Sequence, residues 1–179
     1  MYQLKYRRSN NRIELITEYG EKKLLNDSIS SKPTISPGGL KAIYLSPCEW
    51  ESITKLYLFD LRNGDNIQLI GDIDGAYMPK GAIWIDNSYL ALIIGFGTFS
   101  DGGNVYLYNL MDSQLIKITD WNQRKQVVKL EYNSGFLKCK GIEYLSDMME
   151  EYIEFKEILD IKFIYFIKII RFLEFYKEE

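Results

Sequence analysis

The sequence contains no histidine, and among its 179 residues there are only four prolines and two cysteines. Without histidine the chain lacks the commonest general base, the commonest zinc ligand and every Ser-His or Cys-His nucleophile pair. Cys48 and Cys139 stand far apart with no CxxC pair, which argues against a zinc knuckle or a disulfide framework and permits a reducing compartment. Twenty-two basic residues face 25 acidic ones, for a net charge of −3, and no block of like charges is long enough to follow a phosphate backbone. Nucleic acid is therefore not an expected partner. Arg7 and Arg8 near the start precede no apolar run of signal-peptide length, so the expected location is cytoplasmic. The most apolar stretch, 161–176, is interrupted by Lys162, Lys168, Arg171 and Glu174, and is too short and too charged to span a bilayer.

What is present is core material. Hydrophobic residues make up 46% of the chain and aromatics 15%, which excludes a disordered or low-complexity protein. At 21.0 kDa, surface scaling has folding bury roughly two-thirds of the chain's surface, enough for one core without metal or disulfide staples.

The sequence repeats itself. At an offset of 49 residues Tyr57-Leu58-Phe59-Asp60-Leu61 falls on Tyr106-Leu107-Tyr108-Asn109-Leu110, Ala42 on Ala91 and Leu69 on Ile118. Each unit reads as four short strands: 33–36, 41–46, 55–60 and 66–70 in the first, then 81–85, 89–95, 104–109 and 114–118 in the second. Asn63-Gly64 supplies the positive φ angles of a tight hairpin, and Asp86-Asn87-Ser88 serves the same purpose less strongly. Partial copies flank these units. Residues 13–25 match a third and fourth strand, with Tyr19-Gly20 as the turn, and 127–140 match a first and second strand.

A four-strand unit repeating at 40 to 50 residues predicts an all-β fold, a partial β-propeller-like array of four-stranded antiparallel blades. Residues 1–159 form this array, of about three blades with two complete, and 160–179 a tail that reads as a short C-terminal helix following a strand to about 159. Closed propellers start at four blades, so either the arc stays open or another chain completes it. Alternation puts Leu56 and Leu58 on one face and Tyr57, Phe59 and Leu61 on the other, with Val105 and Leu107 against Tyr106, Tyr108 and Leu110 one unit later. Both faces are apolar, as strands sandwiched between sheets require. Exposed blade edges invite pairing, so the tail is expected to pack on an edge, or chains to associate as a homo-oligomer.

At the 49-residue offset Trp50 falls on Phe99, Glu51 on Ser100 and Ser52 on Asp101, in loops that join second to third strands. In propeller geometry those loops share a face with the blade-to-blade connections, and that face is the usual binding surface. It would carry Glu49, Trp50, Glu51, Asp72, Asp74, Phe99, Asp101, Trp121 and Arg124. Glu49, Trp50, Glu51, Phe99 and Asp101 are the candidate ligand-binding residues, beside the plainer possibility that Trp50 and Phe99 plug the gap between blades. Glu49 and Glu51 could suggest a glycosidase pair, but they sit one residue apart in one loop, whereas such pairs flank a bond from opposite sides. Asp72-Ile73-Asp74-Gly75 opens like a calcium loop and then lacks the closing glutamate, Ile83 standing in its place. The glycine-rich run 95–103 precedes no helix, so it reads as a flexible strand-to-strand connection rather than a phosphate cradle. No metal, cofactor or catalytic residue is implied.

Two stretches, Ser46, Pro47, Glu49, Trp50 and Glu51, then Gly95, Gly97, Thr98, Ser100, Gly102 and Gly103, resemble an uncharacterised bacterial family known as a domain of unknown function. The family looks like a relative of TolB-type and WD40-like propeller repeats, and the likeness spans roughly 33–120. It implies the propeller fold and no activity. The leading functional expectation is a non-catalytic binding or protein-interaction module for an unknown protein or small ligand. A carboxylate-dependent hydrolase, or a truncated propeller remnant without independent activity, are the alternatives.

Overall fold

The computed structural model describes residues 1–49, 51–71, 73, 76–98 and 102–162. Four antiparallel sheets follow one another along the chain. The first holds β1 (Gln3–Arg7), β2 (Arg12–Ile16) and β3 (Lys22–Leu24). The second holds β4 (Thr34–Ile35), β5 (Lys41–Ser46), β6 (Lys55–Asp60) and β7 (Asn66–Ile70), in that order across the sheet. The third holds β8 (Tyr77–Trp84), β9 (Tyr89–Phe96), β10 (Asn104–Asn109) and β11 (Leu115–Lys117). The fourth holds β12 (Lys125–Asn133), β13 (Phe136–Tyr144) and β14 (Tyr152–Asp160). The fold is the expected all-β array with two complete blades. Its flanking copies are larger than the sequence suggested, each a three-stranded sheet. The tail expected to be helical lies outside the described residues beyond Lys162.

The strand faces separate as alternation predicts. Leu56 and Leu58 enter a core with Leu90, Leu92 and Ile94 of the third sheet, while Phe59 and Leu61 pack with Leu15 of the first. One repeat later Tyr108 faces back into the core shared with the second sheet, and Val105 and Leu107 face forward onto Val127, Leu130 and Leu137 of the fourth. Leu56, Phe59, Leu90, Leu92 and Leu107 are fully buried. Each contributes about 1.5–3 kcal/mol of transfer free energy, which is what fastens one blade to the next. Polar ties at equivalent places reinforce the stack: Gly38 N donates to Asn87 Oδ1 (2.6 Å), 49 residues on, and Trp84 Nε1 donates to the Thr34 carbonyl (2.9 Å).

The arc ends in charge. On the first sheet the face turned away from the second carries Lys5, Arg7, Arg12 and Lys22 around Glu14, which pairs with Arg7. On the fourth sheet the outward rows bring together Lys129, Lys140 and Lys156, then Glu131, Lys138 and Ile158. Glu131 accepts from Lys129 (3.0 Å) and Lys140 (3.1 Å). Among the described residues no core cluster or hydrogen bond joins the first sheet to the fourth, so the array is an open arc.

Two local expectations are corrected. β8 begins at Tyr77 rather than 81, because a β-bulge between Pro79 and Gly81 absorbs a proline that reads as a strand breaker, on a strand at the sheet's edge. The repeat is also not gap-free. Tyr57 pairs with Tyr44, but Tyr106 pairs with Leu92 instead of Ile93, the residue that the offset requires. Between equivalently paired residues the connection from second to third strand is thus one residue longer in the later blade, which interrupts the 49-residue register across the loop.

Candidate functional site

The loops joining second to third strands and the connections between blades gather at one end of the array, and there the third and fourth blades meet backbone to backbone. Gly103 and Val127 exchange two hydrogen bonds (3.0 and 2.9 Å) outside the regular ladders. A side chain on Gly103 would strike the Ile94 carbonyl and come within 2.6 Å of the Gly95 Cα. A side chain on Gly95 would strike the Gly102 carbonyl, and one on Gly102 the carbonyl of Val127. These glycines are therefore close-packing positions. The reading of this run as a flexible connection is corrected for them, though Gly97, at φ +65° in open space, does serve a turn.

Asn104, next in the chain, organises the facing connection. Its Oδ1 accepts from Trp121 N (2.9 Å) and Thr119 Oγ1 (2.8 Å), while its Nδ2 donates to the Trp121 carbonyl (3.0 Å). The Trp121 ring meets Phe155 edge to face at 5.5 Å, and Lys125 Nζ lies 4.3 Å from its centroid while pairing with Glu157. Backbone and ring are both fixed, so Trp121 is held before any ligand arrives.

Between these parts lies a cavity of about 270 Å³, walled by Tyr77, Phe96, Trp121, Tyr144 and Met149 over the glycine backbone. Tyr77 and Phe96 contact edge to face at 5.4 Å, and Lys80 Nζ ties the Gly97 carbonyl to the rim (2.7 Å). A more open depression adjoins it, where Arg124 faces Asp147 at 3.6 Å. Among the described lining residues the chemistry on offer is apolar contact, aromatic edges, amide hydrogen bonds and the Lys125 ammonium, which pairs with Glu157. Among the described residues no group of three His, Cys, Asp or Glu side chains could hold a metal ion.

The sequence-predicted residues distribute unevenly. Trp121 lines the cavity and Arg124 the depression beside it. Glu49 sits one blade away, where its Oε1 accepts from Ile29 N (2.7 Å) and ties the loop to the preceding connection. Its Oε2 is buried without a partner among the described residues. Glu51 is exposed at φ 61°, in a turn closed by Ser52 N on the Glu49 carbonyl (3.2 Å). Trp50, Phe99 and Asp101, with Asp72 and Asp74, lie outside the described residues. Sequence reasoning missed Tyr77, Phe96, Tyr144, Met149 and Asn104. Tyr77 was hidden by Pro79. Asn104 carried a signal, since it opens a third strand at the place Lys55 holds one repeat earlier.

Among solved structures the chain is similar to a protein from Clostridium novyi described as a candidate conserved lipoprotein, with a TM-score of 0.67, 21% identity, and coverage of 74% of this chain and 88% of that one. It is also similar to the β-propeller domain of the Trilobed protease from Pyrococcus furiosus, described as having an open velcro topology, with a TM-score of 0.52 and 13% identity over 88% of this chain and 48% of that one. A chain from a prolyl endopeptidase study matches with a TM-score of 0.59 at 10% identity, over 90% of this chain and 24% of that one. At these identities the likenesses establish the propeller-type fold. No curated protein matches the sequence. Among the described residues no helix is long and apolar enough to cross a membrane. Residues 46–157 match the family model described as Domain of unknown function (DUF4652), and the chain belongs to that family.

Proposed function

We propose that the chain is a non-catalytic binding module whose loop-bearing end takes up a small ligand or a protein partner where the third and fourth blades join. The observation that carries this reading is the preformed aromatic cavity beside Trp121, whose backbone is held by two hydrogen bonds at Asn104. A concave, mostly apolar site on a fixed frame loses little entropy on binding. Glu49, Trp50, Glu51, Phe99 and Asp101 extend the binding end across the neighbouring loops. A hydrolase is less favoured, because one Glu49 oxygen is already spent on Ile29 N and so supports loop architecture. A remnant without activity is less favoured too, since an array of similar extent recurs in the Clostridium novyi chain. That likeness brings a lipid-anchored, cell-surface location as the alternative to the cytoplasmic one, and cell fractionation separates the two.

A thermal-shift screen of peptides and neutral aromatic compounds tests the site. A ligand should raise the melting temperature of the parent chain and fail to do so with Phe96→Ala, a residue that is 46% exposed and stands outside the core clusters. A ligand that stabilises both alike, or a screen without any ligand, overturns the reading. Trp50→Ala separates plug from platform: a loss of about 3–5 kcal/mol marks a plug, and a loss within about 1 kcal/mol with binding abolished marks a ligand platform.

A further inference from the structure

The outer edge of β14 is unpaired among the described residues, being the last strand in the order β12-β13-β14. It pairs with β13 over nine consecutive residues without a bulge, and it contains no proline, so two of the usual protections of an edge are missing. The chain leaves it toward the other side: Ile161 N donates to the Gly135 carbonyl in the β12–β13 turn (2.9 Å), the Ile161 side chain is buried, and Lys162 Nζ sits 4.1 Å from the Phe136 ring. On the face turned away from the third blade, β14 presents Tyr152, Glu154, Lys156 and Ile158, with Tyr152 55% and Ile158 66% exposed.

We propose that this edge pairs with the same edge of a second copy, making a two-fold dimer in which two fourth blades form one continuous sheet. This goes beyond the loop-face reading and does not depend on it. The argument is charge complementarity under a two-fold axis. Antiparallel pairing centred on Phe155 sets Glu154 opposite Lys156 of the other copy, twice, and Tyr152 opposite Ile158, twice. Moving the centre to Lys156 opposes lysine to lysine, and moving it to Glu154 opposes glutamate to glutamate; centring on Ile158 opposes Lys156 to Asp160 but pairs only residues 156–160, so the Phe155 register joins opposite charges to the longer overlap. A lone lysine would blunt the edge against pairing. With glutamate two residues away on the same face, the edge instead complements itself.

Sedimentation velocity of the full chain, from low to high micromolar concentration, is the test. The parent should dimerise. Lys156→Glu and Glu154→Lys should each weaken association by about tenfold or more, and the double swap Glu154→Lys with Lys156→Glu should restore it. Circular dichroism melts confirm that the exposed substitutions leave the fold intact. A monomer at every concentration overturns the proposal, as does a dimer that the single reversals leave unchanged. So does hydrogen exchange showing the β14 edge amides protected equally in dilute and concentrated samples, which would place another part of the chain on that edge.

Discussion

β9 and β14 are of nearly equal length, and both are rich in Tyr, Ile, Leu and Phe, yet they live in opposite surroundings. Seven of the eight residues of β9 are buried, whereas β14 is exposed over its first three residues and then alternates half-buried and exposed positions. The difference lies in the charged side chains. YLALIIGF carries no charge, while YIEFKEILD sets Glu154 and Lys156 on its outward face. A strand between two sheets must be apolar on both faces, and a strand that closes a stack needs only one. Charge at every second position therefore marks where the stacking stops, and the first sheet obeys the same rule with Lys5 and Arg7.

The strongest way to break this contrast is to disturb the inner junction. Gly103→Ala places a methyl against the Ile94 carbonyl and the Gly95 backbone, neither of which can yield, and should cost about 3 kcal/mol or more, read as loss of a cooperative melt. Leu92→Ala, at a fully buried position of β9, should cost about 2–5 kcal/mol by urea denaturation. Ile158→Ala, at a 66% exposed position of β14, should stay within about 0.5–1 kcal/mol in the same assay. Equal losses at Leu92 and Ile158 would show that the outer sheet is buried in solution.

A finer comparison contrasts Asp60 with Asn109, which occupy equivalent places one repeat apart. Each caps its hairpin two residues on, Asp60 Oδ1 accepting from Arg62 N (2.9 Å) and Asn109 Oδ1 from Met111 N (3.0 Å). Only the first titrates. The hydrogen-bonded Arg62 guanidinium holds the Asp60 carboxyl down at about 2. Its folded value lies below its unfolded one of about 3.9, so its stabilisation is complete above that value and disappears as pH falls from about 4 toward 2. With the Arg62 side chain 58% exposed, screening reduces the effect to about 1 kcal/mol or less. Asp60→Asn should flatten this part of an acid titration followed by denaturant melts, while Asn109→Asp, at a buried place where Met111 stands instead of Arg62, should not introduce it in the next blade. Smaller still, Lys138→Ala on the solvated face should change stability by less than about 0.5 kcal/mol in the same melts.

Much of the blade arrangement was legible because propeller strands advertise themselves through repetition. β6 and β10, at 55–60 and 104–109, have the bounds that the 49-residue offset assigns them. What escaped notice lay where local rules are overridden by neighbours. Pro79 concealed the first half of β8 because its bulge exists only in the paired sheet. β1 went unread because QLKYR alternates over too few residues to stand out before β2 pairs with it. The glycines of 95–103 looked like slack, since a sequence does not show which carbonyl will occupy the space of a missing side chain. The cavity was half foreseen. Trp121 was named for its place in a blade connection, whereas Tyr77, Phe96 and Tyr144 are ordinary strand aromatics until the third and fourth blades are brought side by side.

The hydrogen bond from Gly38 to Asn87 spans one whole repeat, so its donor and acceptor belong to the same place in successive units. Its acceptor is nevertheless a side chain that the equivalent turn lacks, since Gly38 stands where Asn87 stands one repeat later. Any such turn can give, because every residue but proline carries a backbone N–H, whereas only a turn bearing a polar side chain at this place can receive. The tie thus runs one way along the arc: a blade that holds the one before it needs an acceptor in its own turn, whereas the leading blade needs none.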